Sequence, residues 1–252
     1  MQGKILKQVK SFAPLLIPPV LYTLGMGVAN FCVHQLHHVN YGDSGYIRFA
    51  LPFLAALAAV TVSLCLTQRQ ARRERDSGRI LLFLLLSLPL AGMTLYYWAS
   101  NGSLSAAFAL PLATTLLVGI GEELMFRRFL FDGLLRRGQS FTAALLLSAF
   151  LFSLLHSVNV LAGLPFRQML VQLGTTFLAG IFYALLYDYT KNIFLMIALH
   201  WLWDYLLLSG AVQAIPAFGI ILPALNVVEI LLIPVLLFLR RQAEKARQGG
   251  GV

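Results

Sequence analysis

AAFALPLATTLLVGIGEELMFRRFLFDGLL, residues 106–135, is the stretch whose reading decides the fold. A mostly uncharged run up to Gly121 is long enough to start a helix across a hydrocarbon core roughly 30 Å thick. Its hydrophobic pattern then continues through Phe126, Phe129, Leu130, Phe131, Leu134 and Leu135, past Glu122, Glu123, Arg127 and Arg128. Arg136, Arg137 and Gly138 close it, as basic residues followed by glycine close helices. The chain around it has the same character. It is 59% hydrophobic and 12% charged, where soluble domains carry about a quarter charged residues, and its mean hydropathy is +0.78.

Comparable apolar blocks lie at about 12–33, 47–66, 80–99, 106–130, 141–160, 168–189, 192–209 and 217–239. The expected fold is all-α: one integral membrane domain over 1–252, a transmembrane bundle of about eight spans. The net charge of +9 does not indicate a nucleic-acid partner, because the basic residues cap apolar blocks instead of forming a patch. With the N-terminus inside, all of the 19 Lys and Arg except Arg48 and Arg167 fall on the cytoplasmic side. The positive-inside rule therefore predicts that both termini are cytoplasmic. The basic N-terminus precedes an apolar run too long for a signal peptide, so a retained first helix is expected. Only Tyr189, Thr190 and Lys191 separate the sixth and seventh spans, which predicts a helical hairpin. Cys32 and Cys65 lack the spacing of a disulfide framework or a metal knuckle.

Ionisable side chains inside spans cost about 3 kcal/mol each on insertion scales, so Glu122, Glu123, Arg127 and Asp204 together cost on the order of 10 kcal/mol. Glu123 and Arg127 stand at i,i+4, the spacing of an ion pair on one helix face. Glu122 points about 100° away and has no partner in its own helix. If the helix runs from about 106 to 135, roughly 45 Å, Glu122 falls near mid-bilayer and Arg127 is expected to face a polar cavity reachable from the cytoplasm. In the fifth span Phe152 and His156 share a face at i,i+4, and in the seventh His200 and Asp204 do the same. One Glu and two His on separate helices suit either a general base acting on water or a metal site. HExxH and GxSxG are both absent. Elsewhere, His34, His37 and His38 fall in an expected external loop, and Glu229 in the last span belongs to no motif.

GEELMFRRFL, FSLLH and HWLWD, in this order on successive helices, resemble the CPBP family: type II CAAX prenyl endopeptidases with their bacteriocin-processing and Abi relatives, whose signatures are EExxxR, FxxxH and Hxxx(N/D). The resemblance covers residues 106–210, the expected catalytic core. It implies glutamic-type intramembrane peptide hydrolysis with catalytic residues Glu122, Glu123, Arg127, His156, His200 and Asp204. Glu122 would activate a water that His156 helps to bind, Glu123 and Arg127 would brace the site, and His200 would lie near the substrate carbonyl. Asp204 stands where the prenyl proteases have Asn. An ionised carboxylate cannot donate to an oxyanion, so Asp204 is expected to orient His200. The implied partners are the lipid bilayer and a peptide or membrane-anchored protein, lipidated or not, in a bacterial cytoplasmic membrane. No cofactor is implied. The alternatives are a zinc-dependent version through Glu122, His156 and His200, and a non-catalytic transporter or bacteriocin-immunity protein.

Overall fold

The computed structural model describes residues 2–43, 45–67, 80–103 and 105–249. Arg69, Arg72, Arg73, Arg75 and Arg79, which carry part of the charge argument, lie outside the described residues. Helices make up nearly everything described: α1 Gln2–His37, α2 Tyr46–Thr67, α3 Ile80–Asn101, α4 Ala106–Glu122, α5 Asp132–Arg136, α6 Phe141–Leu155, α7 Phe166–Thr190, α8 Ile193–Leu208, α9 Ala211–Ala214 and α10 Phe218–Gly249. Among the described residues seven helical runs are long and apolar enough to cross a membrane, and α8 is a shorter apolar helix. The polarity of the bundle is inverted relative to a water-soluble protein. Leu21, Leu66, Leu231 and Ile220 are 59%, 76%, 65% and 77% exposed, whereas Glu123 and Arg127 are at 0%. Apolar side chains turn outward because lipid, unlike water, does not penalise them, and polar groups turn inward to find one another.

The deciding stretch is one continuous helical run from Ala106 to Arg136, the longer of the two readings of the fourth span. Between Glu123 and Phe131 it winds more widely, with N–H groups reaching back five residues. It ends where expected: Gly138 adopts φ +77°, and Gly138 and Gln139 donate their N–H groups to Leu135 and Leu134. Its flank Phe126, Phe129, Leu130 and Phe131 is wholly buried. α6 likewise changes pitch at its functional end, tightening at His156 into a short 3₁₀ turn that stops at Gly163, φ +82°. α1 runs beyond its expected end to His37, so His34 and His37 are helical and His37 stacks on Phe49.

Small residues let these helices approach closely. A Cβ on Gly180 of α7 would stand 3.0 Å from Ala149 Cα of α6, and one on Gly119 of α4 would stand 3.1 Å from the Ile197 carbonyl of α8. The turn between α7 and α8 is as short as expected. Lys191 takes the left-handed conformation at φ 53° and Asn192 caps α8 by accepting from the Phe194 N–H. The two helices then diverge, α8 packing chiefly on α4 and α3, and α7 on α6 and α10.

The two ends of the bundle differ chemically. At one end Arg240 of α10 pairs with Asp188 of α7 and lies 3.4 Å above the Phe141 ring of α6. Lys191 reaches Asp188 at 2.5 Å, and Tyr187 donates to Asp132 at 2.7 Å. The opposite end is tied by neutral groups: the Tyr41 N–H donates to the Ala162 carbonyl, Tyr97 to the Ser209 carbonyl and Trp98 to the Tyr205 hydroxyl.

Candidate active site

Three helices converge as the motifs suggest. Glu122 and Glu123 stand where α4 passes into its wide turns, His156 where α6 tightens, and His200 midway along α8. The Nδ1 of His200 lies 2.7 Å from Glu123 Oε1, and its Nε2 lies 3.3 Å from Asp204 Oδ2 and 3.8 Å from Glu122 Oε2. Each ring nitrogen faces a carboxylate that can accept a hydrogen from it. Asp204 thus contacts His200 at the expected i,i+4 spacing, but Glu123, on another helix, makes the shorter contact. His156 is arranged differently. Its Nδ1 lies 3.1 Å from the Phe152 carbonyl, which only accepts, so Nδ1 is the donor and a neutral ring keeps Nε2 as an acceptor.

Arg127 approaches Glu123 at 3.1 Å, as the i,i+4 spacing predicts. Its surroundings differ from expectation. It does not face a cavity; it is fully buried, with its guanidinium 4.0 Å above the Phe152 ring and 5.4 Å from that of Tyr183. The bulky, partly wide-turn segment after Glu123 fills the space a cavity would need, and two aromatic rings solvate the cation instead. Phe152 connects the parts: its ring centroid is 5.3 Å from His156 and 6.2 Å from His200.

A cavity of about 550 Å³ joins Glu122, His156, His200, Asp204 and Tyr183. It runs toward the neutral end, where Tyr41, Leu164 and Leu208 line it, and none of residues 123–151 is among its lining. Access from the basic side was expected from the sequence; the lining residues extend to the opposite end. Glu122 Oε2 is buried without a hydrogen-bond partner. That oxygen faces His200, while the Glu122 side chain as a whole lines the cavity.

Sequence reasoning missed the polar scaffold beside His156. Tyr46 donates to Asn30, Asn30 to Asn159 at 3.0 Å, Asn159 to Gln172 at 3.0 Å and Gln172 to Tyr41 at 3.3 Å. These partners lie far apart in sequence and leave no local signal. Burial, then the charge of Asp204, pushes the Tyr41 hydroxyl up to about 12, keeping it a neutral donor at the cavity mouth. Asp132 and Asp188 were also missed, although Arg128–Asp132 and Asp188–Lys191 have the helical spacing of ion pairs. Among the described residues no three His, Cys, Asp or Glu form a metal-binding group.

Fold and site define a multi-pass integral membrane protein with a carboxylate and imidazole centre buried in its bundle. Residues 104–206 match the family model described as Type II CAAX prenyl endopeptidase Rce1-like, a span that holds all three motifs and bears out the resemblance drawn from them. That family implies a CAAX-protease-type intramembrane endopeptidase, a hydrolase acting on a peptide or protein in a lipid environment. No curated protein and no solved structure matches the chain.

Proposed function

We propose that the chain hydrolyses a peptide bond within the membrane with a water activated by Glu122. The observation that carries this reading is that Glu122 lines the same cavity as His156 and His200, with its Oε2 3.8 Å from His200 Nε2 and accepting no hydrogen bond. A water there can donate one hydrogen to Glu122 and the other to His156 Nε2. Glu122 takes a proton as the water oxygen attacks the substrate carbonyl carbon, and the carbonyl oxygen becomes an oxyanion. His200, anchored through Nδ1 on Glu123, turns its Nε2–H from the longer Asp204 contact to that oxyanion. Glu122 then returns the proton to the amide nitrogen as the C–N bond breaks, leaving an amine and a carboxyl group. Glu123 and Arg127 brace the centre.

The substrate is a peptide or a membrane-anchored protein segment, and we locate the protein in a bacterial cytoplasmic membrane with both termini inside. In that orientation the cavity opens on the extracytoplasmic face, because its mouth lies at the neutral end of the bundle. The test is cleavage of model transmembrane peptides by purified protein in proteoliposomes, comparing wild type with Glu122→Ala and His156→Ala. Both variants should lose cleavage; undiminished cleavage by either refutes the assignment. Metal analysis alongside distinguishes the zinc version, which requires stoichiometric zinc that is lost together with activity on chelation.

A further inference from the structure

The last helix lies outside the stretch that matches the family model, yet it forms one wall of the cavity. Leu222, Asn226 and Glu229 of α10 line it at i, i+4 and i+7, one helix face, while Val227, Val228 and Leu231 turn outward at 54%, 44% and 65% exposed. Glu229 is only 4% exposed, and the charged group that acts on it is His200, which is itself held by Glu123 and Asp204. A carboxylate buried in a membrane helix normally finds a partner or serves a ligand. The rest of the wall points to the ligand's charge. Glu122, Asp204 and Glu229 line the cavity with His156 and His200, and among the described lining residues there is no lysine or arginine. Arg127, the arginine of the EExxxR motif, is committed to Glu123 and covered by Phe152.

We propose that Glu229, assisted by Asp204, forms a subsite for a cationic side chain, lysine or arginine, of the peptide substrate. This rests on the endopeptidase reading and deepens it. A basic residue near the scissile bond gives Glu229 a direct partner, where the fold supplies only the charge of His200, already shared with Glu123 and Asp204. A free C-terminal carboxylate, by contrast, meets three acidic groups and no lysine or arginine.

The experiment uses the full chain in detergent micelles with peptides that carry lysine, norleucine or glutamate beside the scissile bond. Norleucine keeps the lysine stem and removes only the ammonium. Wild type should cleave the lysine peptide with a kcat/KM at least tenfold above that of the norleucine peptide. Glu229→Gln should bring that ratio to about one, and Glu229→Asp should keep most of it. A Glu229→Gln variant that preserves the ratio overturns the proposal, as does a wild type that shows no preference. In parallel, fluorescence anisotropy compares binding of the same peptides to Glu122→Gln and to Glu122→Gln/Glu229→Gln. If nothing is cleaved but lysine-selective binding depends on Glu229, the subsite stands and the hydrolytic reading fails. Cleavage without selectivity means the reverse.

Discussion

Glu123 and Arg127 invite a double-substitution cycle whose size follows from their geometry. The pair is 3.1 Å apart and fully buried. At an effective dielectric constant of about 20 its Coulomb attraction is about 5 kcal/mol. Glu123→Gln alone leaves the guanidinium buried without its counter-charge and should destabilise the protein by about 3–5 kcal/mol, the usual cost of breaking such a pair from one side. Arg127→Met alone leaves Glu123 with only His200 and also removes the cation from the Phe152 face, for a loss of similar size. The double variant buries no unpaired charge, and the amide that replaces the Glu123 carboxylate can still accept from His200. It should therefore lose less than either single variant, a coupling of about 3 kcal/mol or more. The assay is reversible unfolding in mixed micelles, with tryptophan fluorescence as the signal. Single-variant effects that simply add, within about 0.5 kcal/mol, would refute the reasoning that the pair is a mutually compensated brace.

Three further outcomes are expected. Gly180→Leu should separate α6 from α7, because the new side chain meets the Ala149 backbone at 3.0 Å, and should cost about 1–3 kcal/mol in unfolding experiments with loss of cleavage; unaltered stability would contradict the close packing. Asn159→Leu should leave Asn30 and Gln172 short of a partner and cost about 1–3 kcal/mol, read from the thermal midpoint; a neutral effect would mean the network does not bind α1 to α7. A cysteine at Gln168, in a Cys32→Ala/Cys65→Ala background, should react with an impermeant maleimide from the extracytoplasmic face and one at Arg241 from the cytoplasmic face. Reversed labelling would overturn the orientation.

How much of this was legible in advance depended on range. The span pattern and the end of the fourth span at Gly138 follow from local composition, and so does the turn at Lys191, because lipid imposes long apolar runs and turns need a few specific residues. The site motifs were legible for a related reason: charge and imidazole stand out against an apolar background. The direction of the cavity was not legible. The basic residues at one end indicated where water is, but which helix faces line the cavity is set by tertiary contact between residues far apart in sequence. The changes of helical pitch at Glu123 and His156 were equally hidden, since an i,i+4 pattern is written the same way for a regular and a widened turn. Glu229 had no motif at all, and only its place on the cavity wall gives it a meaning.

The claim that Glu122 is the base rests most directly on the single-turnover cleavage rate of Glu122→Gln, an isosteric change that preserves shape and removes the proton acceptor. General-base catalysis of this kind contributes roughly 10²–10⁴-fold. The account predicts a rate reduced by that factor, with a thermal midpoint no lower than that of wild type. A Glu122→Gln protein that cleaves within about threefold of the wild-type rate would contradict it.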